Sequence, residues 1–205
     1  MIDTIKLRKA LGWLGMLLPW IVAILYMILE VKTFEFPESI SATYYCDSCI
    51  TPFMIILGSA GLLLMTYSGY DKQDKIVCTL AGIFGIMICL FPCFSTLSYV
   101  GTFQIQVNIS GWIHNISAFI FFGLLAYNSL FLFTKSSGKM TPEKKKRNII
   151  FRVCGIGMLA SFLLLIPLWN VSCGIWIVEA IALSFFGISW LTKSQCYNWL
   201  FKDKE

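Results

Sequence analysis

The chain contains a single histidine, His114, inside an otherwise apolar stretch, and a solitary carboxylate, Glu179, interrupts another such stretch. A carboxylate within a membrane span costs about 2.5–3.5 kcal/mol at the bilayer centre and less near the boundary, so some partner must offset it. Imidazole with a carboxylate is the arrangement of a general base and its orienting acid, and His114 and Glu179 are the candidate catalytic residues on that reading. The same pair can grip a polar head group, with Ser117 on the helical stripe of His114 as a further ligand. A plain hydrogen bond locking two helices together would use the same residues. Residue types alone leave these readings open.

The stretch Pro37-Glu38-Ser39-Ile40-Ser41-Ala42-Thr43-Tyr44-Tyr45 is too polar to span and is rich in hydroxyls. If it is extended, Ser41, Thr43 and Tyr45 share one side and, with Ser39, present ligand-binding groups over a bundle mouth. An ordinary surface turn is the simpler reading. Cys46, Cys49, Cys93 and Cys173 fall on or near the same side, where an oxidising exterior permits disulfides whose connectivity spacing does not give. A zinc site would need Cys46, Cys49, His114 and Glu179 to converge, and is the weaker expectation with one histidine in the chain. Glycine-rich phosphate loops, a serine-nucleophile elbow and a His-Glu-x-x-His motif do not occur, so no cofactor or metal is expected.

The elements that position these groups follow from composition. The 205 residues are 58% hydrophobic and 13% charged, whereas soluble domains run near 45–50% and about 25%. That excludes a water-soluble enzyme, a nucleic-acid binder and a disordered scaffold. Six apolar runs, approximately 11–29, 53–67, 76–94, 113–133, 149–169 and 175–191, are long enough to cross a bilayer at about 20 residues each. Lipid offers the backbone no partners, so each run must be a helix. The expected fold is all-α: one polytopic six-transmembrane-helix bundle over residues 1–205, with the first run an uncleaved anchor.

Every Lys and Arg except Lys32 falls in the two tails, in the second connection, or in the fourth connection with its flank, which includes Arg152. The positive-inside rule therefore puts both termini in the cytoplasm of a multi-pass cell-membrane protein. It also explains the run from Glu143 to Arg147, including Lys144, without nucleic acid; Lys139, Lys202 and Lys204 belong to the same inner side. Trp112, Trp169 and Trp176 are expected at the outer boundary, and Trp13, Trp190 and Trp199 at the inner one. The second, fourth and sixth helices then start at the outer face with Thr51, Ser110 and Ser172 as caps, and their N–H ends favour anions. Small residues four apart, Ala81 with Gly85, Gly157 with Ser161 and Ala180 with Ser184, allow close helix packing.

Pro37 to Thr43, His114 with Ser117 and Ala118, and Glu179 early in the sixth run are similar to short patterns in the six-helix Frag/DRAM/Sfk group and in related bacterial membrane families of unknown function. The resemblance covers most of the chain in layout. The loop here is one residue longer before the isoleucine, and Ala42 stands where an acid often follows the serine. The resemblance implies membrane lipid as the partner class. The expected function is recognition or remodelling of a lipid head group at an outer-leaflet polar site. The alternative is a non-enzymatic regulator, or a bundle that binds a membrane-protein partner, in which His114 and Glu179 are structural.

Overall fold

Each apolar run is a helix in the computed structural model, which describes residues 3–136 and 140–196. Lys139, Trp199, Lys202 and Lys204 lie outside the described residues. The helices are α1 (Thr4–Val31), α2 (Asp47–Thr66), α3 (Lys72–Leu90), α4 (Val107–Leu132), α5 (Pro142–Leu168) and α6 (Gly174–Lys193), and all six are long and apolar enough to cross a membrane. The chain is a multi-pass membrane protein. Residues such as Ile28, Phe119 and Ile166 expose their side chains from the helix sides, as a surface solvated by acyl chains requires.

Successive helices pack against one another, and α6 returns to lie along α1, closing an up-and-down ring of six. Arg8 Nη1 donates to the Lys193 carbonyl at 3.3 Å, so the first and last helices share one end. This is the terminal end; the other is the loop end. Leu18, Phe53, Leu57, Phe121, Phe122 and Phe186 fill the interior.

Two crossings depend on glycine. A Cβ at Gly187 would stand 2.8 Å from the Gly12 carbonyl oxygen, joining α1 to α6, and one at Gly61 would stand 3.0 Å from the Gly82 oxygen, joining α2 to α3. Such backbone approach is how small residues substitute for a hydrophobic drive between helices in lipid. The small pairs expected from sequence act more weakly: Gly85 faces the Phe121 ring and Gly157 the Phe185 ring, while Ser184 donates to the carbonyl of Ala180 in its own helix.

Helix ends differ from expectation for local reasons. α3 stops at Leu90 rather than Phe94, because Phe91 precedes Pro92 and takes an extended conformation, φ −115° and ψ 94°. α2 and α4 begin earlier than their apolar runs, so Thr51 and Ser110 lie inside helices and cap nothing; α6 starts at Gly174 with no side-chain cap, Ser172 included. The helices starting at the terminal end are capped, by Asp3, Asp71 and Thr141, the last followed by Pro142 at the first helical position. Between α3 and α4 a short hairpin pairs Tyr99–Val100 with Ile105–Gln106.

Trp13, Trp112 and Trp169 are exposed, as boundary tryptophans should be, but Trp176 and Trp190 are core residues. The Trp176 indole donates to the Pro19 carbonyl at 3.4 Å, and Trp190 packs edge-on against Tyr67 and Phe133.

Candidate functional site

The early stop of α3 at Leu90 leaves the carbonyls of the three residues that follow it without helical donors. Three side chains supply them. His114 Nδ1 bonds the Phe91 carbonyl at 2.8 Å, the Ser110 hydroxyl donates to Pro92 at 2.8 Å, and the Tyr45 hydroxyl donates to Cys93 at 2.5 Å. A carbonyl only accepts, so the His114 proton sits on Nδ1. Ser110 and His114 lie one turn apart on α4, which lets the start of that helix clamp the end of α3.

Glu179 has a different partner. Its Oε2 accepts from the backbone N–H of Ile40 at 2.6 Å, and one turn earlier on α6 the Trp176 N–H donates to the Glu38 carbonyl at 3.0 Å. The first connection is thereby pinned to the start of α6. It is not extended: Ser41–Tyr45 form a 3-10 turn, with the Ser39 hydroxyl accepting from Ala42 N at 2.9 Å and the Thr43 hydroxyl donating to the Ile40 carbonyl at 2.6 Å. Ser41, Thr43 and Tyr45 therefore do not share one strand face. Ser39 and Thr43 spend their hydroxyls inside the loop, Tyr45 reaches Cys93, and Ser41 remains at the crevice beside Glu179.

That crevice is about 30 Å³ and runs inward past Leu18, Phe53 and Phe121. It holds roughly one water molecule. Glu179 is partly exposed there, whereas His114 and Ser117 are buried. Among the described residues no hydrogen bond or ion pair joins His114 to Glu179; one secures α4 to α3, the other the loop to α6.

The positive helix ends at the loop face are taken by the chain itself. Glu30 Oε1 accepts from Ser48 N at 2.7 Å in the first turn of α2, and the Glu38 carbonyl takes the α6 donor. The expected anion positions on these two helices are filled from within.

Cys46, Cys49, Cys93 and Cys173, the expected disulfide partners, are free thiols. The Cys46–Cys49 pair opens helix α2, and Cys49 Sγ points at the Val22 carbonyl, 3.6 Å away. Burial, and next to it the charge of Glu179, push the Cys93 thiol up to about 12; burial and then Glu30 also raise Cys46. Neither is a thiolate nucleophile near neutrality. Among the described residues no three His, Cys, Asp or Glu side chains group closely enough to hold a metal ion.

Sequence reasoning missed Glu30 as the partner of α2, and it missed Asp74 and Lys193 as buried residues at the terminal end, 3% and 6% exposed. The available signal was position. Asp74 sits just ahead of the apolar run that begins at Ile76, and Lys193 just past the one that ends at Leu191. Both read as boundary charges in a linear count. Comparison with known proteins finds no matching family model, no matching curated protein and no matching solved structure.

Proposed function

We propose that the protein resides in the cell membrane with both termini in the cytoplasm, and that its loop end recognises a membrane-lipid head group through Glu179. The observation that carries this reading is the single bond between a partly exposed carboxylate and a loop N–H at 2.6 Å. A carboxylate accepts hydrogen bonds, so the head group that competes for it carries donors, an ammonium or hydroxyls, rather than only phosphate. Exchange of the Ile40 N–H for such a donor would lift the loop from α6 and widen the crevice. His114 is committed to the end of α3, so the geometry favours recognition over acid–base remodelling.

A second reading is favoured by the crevice volume of about 30 Å³, which is smaller than any head group while the loop is closed. There His114 and Glu179 are structural, and the bundle acts as a non-enzymatic regulator or binds another membrane protein. The two readings part on one experiment. Protein reconstituted in equal phosphatidylethanolamine and phosphatidylglycerol is released into the gas phase and its retained lipids are weighed. Enrichment of the ethanolamine lipid, lost in Glu179→Gln at unchanged protein abundance, supports recognition. Equal retention by both proteins supports the structural reading. For orientation, a membrane-impermeant maleimide should label intact cells above background at Phe34→Cys, a fully exposed loop-end position, and label Lys145→Cys only after lysis.

A further inference from the structure

A second cavity lies at the other end of the molecule. It is a half-open space of about 420 Å³ between the start of α1, the ends of α4 and α6 and the start of α5. Five cations line it, Arg8, Lys135, Lys144, Arg147 and Lys193, and no carboxylate does among the described residues. Lys135 is held by Asp71 at 2.7 Å and Asp74 at 3.1 Å. Arg8, Lys144 and Lys193 have no such pairing among the described residues.

Like charges do not gather in a partly desolvated space without a counter-charge, because their repulsion grows as the local dielectric falls. Lys193 is the clearest case. Its side chain is 6% exposed, and its ammonium sits over Tyr70 at 4.4 Å, Phe133 at 4.8 Å and Phe151 at 5.9 Å. Aromatic faces hold a cation in place without supplying a counter-ion, and the nearby Asp74 carboxylate is already bonded to Lys135. Lys144 Nζ donates to the Phe133 carbonyl at 2.7 Å, again a neutral partner.

Hydrogen bonding supplies an independent sign of a missing partner. Thr192 lines the same cavity and is 1% exposed, and among the described residues neither its hydroxyl nor the buried Arg8 Nε has a hydrogen-bond partner. Buried polar atoms are nearly always paired, so two orphans beside clustered cations mark a position where an acceptor-rich anion belongs. The volume far exceeds a chloride or a carboxylate and accommodates a phosphate with an attached group.

We infer that this cavity is a binding site for a phosphate ester, with Arg8, Lys144 and Lys193 neutralising the phosphate oxygens and Thr192 donating to one of them. Phosphate oxygens match this set because they accept several charge-assisted bonds at once. The ester belongs either to a lipid head group on this side of the bilayer or to a soluble phosphorylated compound. The inference does not rest on the reading of Glu179.

Two arms separate the sources. Full-length protein in detergent at low ionic strength is tested for binding of radiolabelled pyrophosphate, and protein in phosphatidylcholine nanodiscs is tested for displacement of that label by added phosphatidic acid. The wild type should bind pyrophosphate. Displacement by phosphatidic acid, but not by phosphatidylcholine alone, identifies a lipid ligand; persistence of the label identifies a soluble one. Lys193→Met and Lys144→Gln should each weaken binding by about tenfold, the effect of one charge-assisted bond. Lys144→Gln lies at the partly exposed rim and reports even where Lys193→Met fails to fold. No binding by the wild type, or equal binding by Lys144→Gln, overturns the site.

Discussion

The two ends of this bundle satisfy their polar groups in opposite ways. At the loop end, His114, Ser110, Tyr45, Glu179 and Glu30 each bond a backbone group of another segment. At the terminal end, cations crowd a cavity, and the five buried side-chain atoms without partners among the described residues, on Arg8, Tyr67, Asn128, Asn148 and Thr192, all lie toward that end. The difference teaches how to read an intramembrane polar residue. One whose hydrogen bond ties down a neighbouring backbone group, as that of His114 does at Phe91, shapes the fold; a cation left among charges of its own sign is the kind of group to test for a ligand.

Substitutions should break the symmetry of sign between the ends. The largest loss is expected for His114→Ala, which strips the Phe91 carbonyl of its donor and empties a buried ring site. About 3 kcal/mol of stability should disappear, read as a lower unfolding midpoint in detergent. Glu179→Ala should cost about 2 kcal/mol by orphaning the Ile40 N–H. Glu179→Gln keeps the acceptor and should recover most of it, and failure to recover would mean that the charge, not the bond, holds the loop.

At the terminal end the sign reverses. Lys193→Met keeps the volume and the contact with three aromatic rings while removing an uncompensated charge, so without ligand it should leave stability unchanged or raise it by about 1 kcal/mol. A fall as large as that of His114→Ala would erase the contrast. Tyr45→Phe should lose about 1 kcal/mol, the net worth of one hydrogen bond to Cys93.

The smallest effect concerns the exposed pair at the terminal end. The hydrogen bond that Lys135 donates to Asp71 holds the Asp71 carboxyl below its ordinary 3.8 and holds Lys135 above its ordinary 10.5. A lowered acid contributes fully above 3.8 and loses its contribution as pH falls through the folded value below that. A raised amine contributes fully below 10.5 and loses it as pH rises past that. Stability should thus be flat between, decline slightly at both extremes, and show a decline that added salt suppresses and Asp71→Asn removes at the acid side.

Much of the scaffold was legible in the sequence. Six apolar runs predict six helices because lipid allows no alternative for a spanning backbone, and the run near 175–191 corresponds closely to α6, whereas α1 starts at Thr4, ahead of the run near 11–29. Ends were less legible. Pro92 was visible, yet its consequence, an α3 too short to reach Phe94, decided where His114 bonds. Thr51 and Ser110 looked like caps because a linear reading places helix starts where apolar character begins, whereas the helices start in polar residues before it.

For the candidate site, residue types marked His114 and Glu179 as unusual but said nothing of what they touch. The basic residues were read as a topological signal, and their meeting in a cavity was invisible because Arg8 and Lys193 stand 185 positions apart.

By itself, the sequence determined that this chain crosses a membrane as helices, since apolar length and backbone hydrogen bonding are properties of each segment alone. Only the tertiary structure decided which polar groups are spent and which stay open. That depends on ring closure of α6 onto α1 and on the glycine crossings, through distances between segments that no linear pattern encodes.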